Sequence, residues 1–99
     1  RSTVYDGRVY HSAKEAEYAQ TLDVLKKAGQ IKKWTPQFRV SLDVNGYHIA
    51  NYYVDFLVEL SNKEKELHEV KGFETALWHL KWKLTEALYS KKYRLVLIK

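Results

Sequence analysis

The chain of 99 residues carries a formal net charge of +5 at neutral pH and contains no cysteine, four glycines and one proline. Its length is enough for one domain over residues 1–99, and the lack of cysteine excludes a disulfide framework, a thiol nucleophile and a cysteine-ligated metal site. No run of about 18 apolar residues occurs and the N-terminal residues show no signal-peptide core, so we expect a cytoplasmic protein without a membrane partner.

The N-terminal part of the chain is predicted to form a β-turn extension followed by a helix. The Asp-Gly pair at positions 6–7 is typical of a tight turn between two short strands. Ser12 followed by Glu15 is the pattern of a capping box, in which the serine hydroxyl accepts an amide hydrogen bond and the glutamate reaches back. The helix is expected to run to about Ala28 and to end at Gly29.

Three strands are predicted next. Apolar and polar residues alternate over 37–44, and Asn45-Gly46 is a strong hairpin signal. The return strand is expected to start at Tyr47, to pass a bulge near Asn51 and to reach Leu60. Its apolar residues at 54, 56, 58 and 60 are predicted to share one face. After a polar turn, Leu67–Lys71 forms the third strand.

A second helix and a last strand complete the predicted fold. Leucines recur at helical spacing in Thr75–Tyr89, and these are expected to pack against the sheet: Leu77, Leu80, Leu84 and Leu88. Residues 93–98 read as a strand that can join the sheet in parallel through the preceding helix. The chain is therefore predicted to be an α/β protein of αβββαβ order, with a central mixed sheet flanked by two helices.

Two strands carry carboxylates that should meet. Asp55 is the single charge in an otherwise apolar and aromatic stretch, where an unpaired carboxylate would cost several kcal/mol. Glu69 and Lys71 lie two residues apart and so point to one face of the next strand. Carboxylates that converge repel each other and favour a divalent cation between them, and oxygen ligands of this kind favour Mg²⁺ or Mn²⁺ over zinc.

The order of these residues resembles that of the PD-(D/E)XK nuclease superfamily, in which an Asp precedes a Glu-x-Lys strand and a helix supplies a Glu. Several segments are also similar to small phage-encoded endonucleases and Holliday junction resolvase-like proteins, and the likeness extends over residues 10–88. The segments are Tyr10-x-Ser12-x-x-Glu15-Ala16, Gly29-x-Ile31 with Gln37, Tyr53-x-Asp55-Phe56, Glu69-x-Lys71-Gly72 and Leu80-Lys81-x-Lys83-Leu84. One departure is that no proline precedes Asp55.

This resemblance implies a role for each matched residue. Asp55, Glu69 and the carbonyl of Val70 would bind the metal, and Glu15 would reach the metal directly or through a water. Lys71 would position the attacking water and stabilise the charge on the phosphate. The implied activity is Mg²⁺- or Mn²⁺-dependent hydrolysis of DNA phosphodiester bonds by metal-activated water, in a phage- or prophage-encoded enzyme within a bacterial host cell.

Each of these residues also has a purely structural explanation. Glu15 can be the third residue of the capping box alone, and Glu69 with Lys71 can be an exposed ion pair worth less than about 1 kcal/mol. Trp78 and Trp82 are expected to be core or dimer contacts, with base stacking as the alternative. The positive charge is compatible with DNA binding and with simple solubility, and the candidate DNA contacts are Lys81, Lys83, Gln37 and Arg8.

The small size favours recognition of DNA shape over base sequence, because little chain remains outside the predicted catalytic core. A homodimer is expected, since one site cuts one strand and symmetric cleavage of branched DNA needs two. A structure-selective endonuclease acting on branched or duplex DNA is therefore the leading hypothesis. The alternatives are a non-specific nuclease or nickase, a non-catalytic nucleic-acid-binding module, and a protein-interaction domain.

Overall fold

A computed structural model describes residues 2–99 of the chain. A short hairpin is followed by the order αβββαβ, which confirms the predicted α/β class and order of elements. The elements are β1 (Thr3–Tyr5), β2 (Arg8–Tyr10), α1 (Ala13–Lys27), β3 (Ile31–Val44), β4 (Tyr47–Leu60), β5 (Lys65–Val70), α2 (Ala76–Tyr89) and β6 (Arg94–Ile98).

The main sheet is mixed and has four strands in the order β3-β4-β5-β6. The first two pairings are antiparallel, and β6 lies parallel to β5 after the crossover through α2, as predicted. Strands β1 and β2 form a separate antiparallel hairpin. Two strands matter most for the site, because Phe56 on β4 faces His68 on β5 and this register brings residue 55 beside residue 69.

Local signals explain both ends of α1. The hydroxyl of Ser12 accepts a hydrogen bond from the backbone N–H of Glu15 at 3.1 Å, as a capping box requires. The Glu15 carboxylate reaches back one residue further than that motif predicts and accepts from the N–H of His11 at 2.9 Å. At the other end, Gly29 has a φ of 82°, the left-handed conformation that glycine adopts without a Cβ penalty.

Strand β3 is longer than the alternation in the sequence predicts. It begins at Ile31, six residues before the predicted start, and it contains Pro36. A proline is tolerated there because β3 is an edge strand, where the missing N–H need not bond to a neighbour. The bulge expected near Asn51 lies at Ile49, which has no partner between the pairs Leu42–Ala50 and Asp43–His48.

The prediction that Val54 and Phe56 share one face of β4 is wrong. Val54 belongs to the buried cluster on the α2 side of the sheet, whereas Phe56 and Val58 belong to the cluster on the α1 side. The alternation therefore shifts at Asp55. Opposite this point on β3, Gln37 has a φ of 50°, so both strands depart from regular pleating at the same place.

The two helices cover opposite faces of the sheet. Ala16, Ala19 and Leu22 of α1 pack on one face, as predicted. Most of the leucine row of α2 does not face the sheet, contrary to the prediction: Leu77, Leu80 and Leu88 are exposed, and of this row only Leu84 packs against the core. The helix packs mainly through a neighbouring row that consists of Trp78, Trp82, Thr85 and Tyr89. No helix in residues 2–99 combines the length and apolar character needed to cross a bilayer.

Candidate active site

Three acidic side chains from three elements line one cavity at the C-terminal end of β5. Glu15 comes from α1, Asp55 from β4 and Glu69 from β5, and the cavity has a volume of about 240 Å³. Lys71 and Trp78 line it too. The structure thus brings together the four residues that the sequence singles out as catalytic candidates.

The side chains of Asp55 and Glu69 each accept a hydrogen bond from the backbone of the neighbouring strand, just beyond the last backbone pair of β4 and β5. The backbone N–H of Asp55 donates to Oε1 of Glu69 at 3.0 Å, and the N–H of Val70 donates to Oδ2 of Asp55 at 2.8 Å. Side-chain oxygens therefore take the place of backbone carbonyls beyond the Phe56–His68 pair. This exchange directs both carboxylates to the same cavity.

Gln37 links the third carboxylate to this pair. Its Nε2 donates to Oε2 of Glu15 at 3.1 Å and to Oδ1 of Asp55 at 3.5 Å. Its left-handed backbone conformation is uncommon for a residue with a Cβ, and such residues are found where the surrounding contacts impose them. Gln37 therefore lies inside the site and supports it, while its candidate role as a DNA contact remains a prediction.

Trp78 and Tyr52 complete the surroundings of Glu69. The indole N–H of Trp78 donates to Oε2 of Glu69 at 3.0 Å, and it also lies 3.2 Å from the hydroxyl oxygen of Tyr52. The sequence predicts only a packing or stacking role for Trp78. The available signal was that a buried indole N–H needs a partner, and an acidic residue lies nine positions upstream.

Burial disfavours the charged forms of Asp55 and Glu69. Burial itself, a hydrogen bond with Glu15 and the charge of Glu69 raise the pKa of Asp55 far above its ordinary value of 3.8. Burial is also the main cause that raises the pKa of Glu69, against hydrogen bonds from Asp55 and Trp78 that lower it. A cation at this position would stabilise the charged forms that burial and the neighbouring carboxylates disfavour.

The Lys71 ammonium lies at the rim of the cavity and is about half exposed. Its Nζ is 3.5 Å from Oε2 of Glu74, and the other oxygen of Glu74 is 3.0 Å from Nε2 of His79. In this structure Lys71 is therefore paired with Glu74 and not with Glu69. Its backbone carbonyl accepts from Nζ of Lys14 at 3.2 Å, which attaches this segment to α1.

The donor set fits a hard divalent cation only in part. Among residues 2–99, no group of three or more His, Cys, Asp or Glu side chains is placed to hold a metal ion. Mg²⁺, however, is commonly bound by one or two carboxylates together with waters and substrate phosphates. Oδ1 of Asp55 accepts the longest hydrogen bond at these carboxylates, at 3.5 Å, so it is the oxygen most available to such an ion. Two carboxylates and the adjacent Val70 carbonyl are therefore suitable ligands.

The other candidate DNA contacts lie outside this cavity. Lys83 is exposed on α2, whereas Lys81 is half-buried and donates to the backbone carbonyl of Asn51 at 3.0 Å. Arg8 is exposed on β2 and lines a separate cavity with Asp23 and Trp34. The two tryptophans of α2 pack against the sheet, which agrees with the core interpretation.

Comparisons with known proteins place the chain in a family. The profile of the family described as "Protein of unknown function (DUF1064)" matches residues 1–99, so the chain belongs to that family. No curated protein matches the chain, and no solved structure matches it.

Proposed function

We propose that this member of the DUF1064 family is a divalent-metal-dependent DNA endonuclease. The observation that supports the proposal most strongly is the convergence of Asp55 and Glu69, held in place by hydrogen bonds to each other's strands. A protein gains no stability from two buried carboxylates without a cation, so their placement favours a function. Glu15 and Lys71 on the same cavity supply the remaining groups.

The residues of the site have distinct proposed roles in hydrolysis. Asp55, Glu69 and the Val70 carbonyl would hold Mg²⁺ or Mn²⁺, with Glu15 oriented toward the ion by Gln37. When bound, the ion would supply Lewis-acid activation of water and neutralise charge on the phosphate. Lys71 would exchange Glu74 for the substrate, orient the attacking water and stabilise the negative charge that develops on the phosphate.

The sequence pattern gives independent support for this chemistry. The order of Glu15, Asp55 and Glu69-x-Lys71 on a helix and two adjoining strands resembles the PD-(D/E)XK nucleases, and the αβββαβ order is the one that the resemblance implies.

Branched or duplex DNA is the proposed substrate, cut by a homodimer. The structure leaves few elements outside the helices and strands that form the site, so recognition would depend on backbone contacts and DNA shape. Phe73, Leu77 and Leu80 are more than half exposed near the start of α2, and this apolar surface could pair two copies. The proposed setting is DNA processing by a phage or prophage in the cytoplasm of a bacterial cell.

A cleavage assay on a panel of DNAs tests this proposal. Four-way junctions, flaps, nicked duplex and linear duplex are incubated with the purified protein in Mg²⁺, in Mn²⁺ and in chelator. The proposal predicts metal-dependent cuts, with branched substrates cut faster than linear duplex. Cuts at equal rates in all substrates indicate a non-specific nuclease or nickase. DNA that is bound but never cut in either metal indicates a non-catalytic binding module, and the nuclease proposal is then wrong.

Site variants connect any activity to the proposed residues. Glu69→Gln and Lys71→Ala should each lower the cleavage rate by at least a hundredfold, because they remove a metal ligand and the cation beside it. Glu17→Gln on the exposed side of α1 is the matched control and should cut like the wild type. Equal rates for Glu69→Gln and Glu17→Gln would assign the activity to another site or to a contaminant.

A further inference from the structure

A second cavity lies at the far end of β5, away from the carboxylates. It has a volume of about 500 Å³ and lies between the β4–β5 turn and the start of β6. Five cationic side chains line it, together with Glu64 and Glu66, and we call it the basic groove. The five are Lys63, Lys65, Lys91, Lys92 and Arg94.

The acidic residues of the basic groove do not neutralise its lysines. Glu66 is mostly buried and accepts a hydrogen bond from Nε2 of His68 at 2.8 Å, with Arg94 at 3.8 Å. Glu64 accepts from the side-chain amide of Asn62 at 2.8 Å. Among residues 2–99, the four lysines of the groove have no ion pair within 4.0 Å. The basic groove therefore carries five positive side chains against two carboxylates, and none of its four lysines is paired with either carboxylate.

Two of these lysines have features that an ordinary surface lysine lacks. Lys63 has a φ of 77°, a left-handed conformation that glycine or asparagine would adopt more readily. The ammonium of Lys92 lies 5.3 Å from the centre of the Tyr93 ring, a cation–π distance. A lysine at a strained turn position, in a cluster of like charge, favours a function in binding an anion.

We propose that the basic groove binds the phosphate backbone of DNA as a second contact, remote from the cleavage site. The choice of DNA as the polyanion rests on the proposed function. Helix α2 begins beside Glu69 and ends at the groove, and its 14 residues span about 20 Å at a rise of 1.5 Å per residue. This length corresponds to about six base pairs of duplex at 3.4 Å each. Lys83 is exposed between the two sites.

Anisotropy titrations of labelled DNA in chelator test the groove without any cleavage. Wild type, the variant Lys63→Ala/Lys91→Ala and the control Lys27→Ala/Lys32→Ala are titrated with duplexes of 10 and 30 base pairs. The control lysines are exposed and lie outside the groove. The groove variant should bind the longer duplex at least tenfold more weakly at 0.1 M salt. Its slope of log K against log salt should fall by about two.

The outcomes separate this inference from the nuclease proposal. If the groove variant and the control bind the longer duplex equally, or if the wild type binds no DNA, the groove inference is wrong. It is also wrong if the groove variant loses affinity for a polyglutamate peptide or for anionic lipid vesicles but not for DNA. If DNA binding depends on the groove but no metal supports cleavage, the nuclease proposal is wrong and the groove inference stands. Lys63→Gln/Lys91→Gln and thermal melts check that each loss is not a loss of folding.

Discussion

Asp55 is the one acidic residue between positions 52 and 58, and its apolar neighbours alone predict that its carboxylate is shielded from solvent. The structure adds what the neighbours cannot specify, namely that the carboxylate accepts from the N–H of Val70 and lies beside Glu69. Hydrogen bonds from the backbone lower the pKa, while burial and like charge raise it, and the raising causes are larger. The residue is therefore poised to release its proton when a cation binds.

The stability of the metal-free protein should depend on pH through Asp55. Because the pKa of Asp55 is raised in the folded state, its contribution to stability is full below about pH 4 and is lost as the pH rises through the folded-state pKa. Asp55→Asn cannot ionise, so it should melt several degrees above the wild type at pH 8. The difference should shrink toward pH 4. Thermal melts in chelator measure this, and a pH-independent difference in Tm would contradict the account.

The indole of Trp78 should orient Glu69 for metal binding. Trp78→Phe keeps most of the packing but removes the N–H that donates to Oε2 of Glu69. Outer partners of this kind are worth about 10–100-fold in metal affinity. We expect Trp78→Phe to lower the affinity for Mn²⁺, measured by calorimetry, by about 10–100-fold. Trp82→Phe is the matched control, since Trp82 stacks on Trp78 but packs within the core. A similar affinity for both variants would assign Trp78 to packing alone.

At the scale of elements, α2 shows where an apolar pattern misleads. Two rows of the helix have helical spacing: the leucines at 77, 80, 84 and 88, and the row of Trp78, Trp82, Thr85 and Tyr89. The sequence favours the leucines because threonine interrupts the other row. In the structure Thr85 is fully buried, and its hydroxyl donates to the carbonyl of Lys81 at 2.7 Å, which satisfies it within the helix. Pattern alone could not show this local solution.

Which row of α2 faces the sheet can be tested by a pair of substitutions on its exposed side. Leu77→Gln/Leu80→Gln should keep the far-UV circular dichroism of the wild type, because both side chains are about three-fifths exposed. If these leucines also join two copies, light scattering should show a change from twice the mass of the chain to the mass of one chain. Trp82→Ala should instead destabilise the fold by at least about 2 kcal/mol. Loss of folded structure in the leucine variant would place that row against the sheet.

The strands show a second limit of sequence patterns. Alternation with a period of two indicates that these segments are strands, but it carries Val54 and Phe56 onto one face. The irregularity at Gln37 and Asp55 breaks this period and is the same feature that directs both side chains toward Glu15. Regular patterns could predict the strands and the Asn45-Gly46 turn, whereas the departure from regularity that builds the site has no local signature.

At the scale of the whole molecule, the element order follows from local cap and turn signals, and the parallel last strand follows from the helix that connects it to β5. Ser12, Gly29 and Asn45-Gly46 adopt the conformations that their residue types predict. The basic groove could not be predicted, since its lysines come from two segments about 26 residues apart that meet only when β6 pairs with β5.

His68 should make the folded protein less stable as the pH falls below about 6.5. It is buried, forms a hydrogen bond with the Tyr18 hydroxyl at 2.6 Å, and burial lowers its pKa from 6.5. Since the unfolded chain binds the proton more readily, this contribution to stability is present above about pH 6.5 and is lost as the pH falls. His68→Gln should therefore lose less stability than the wild type between pH 7 and pH 5 in denaturant titrations. An identical pH dependence for both proteins would show that another group causes the loss of stability in acid.

The central claim is that Asp55 and Glu69 together hold a divalent cation. Its most direct test is a Mn²⁺ titration, followed by electron paramagnetic resonance, of the wild type, Asp55→Asn and the control Asp6→Asn at pH 8. Asp6 lies in the N-terminal turn and tolerates asparagine because its φ is 50°. The account predicts saturable binding in the wild type and in Asp6→Asn, and binding at least tenfold weaker in Asp55→Asn. Equal affinity in all three proteins, or no binding to the wild type, would contradict it.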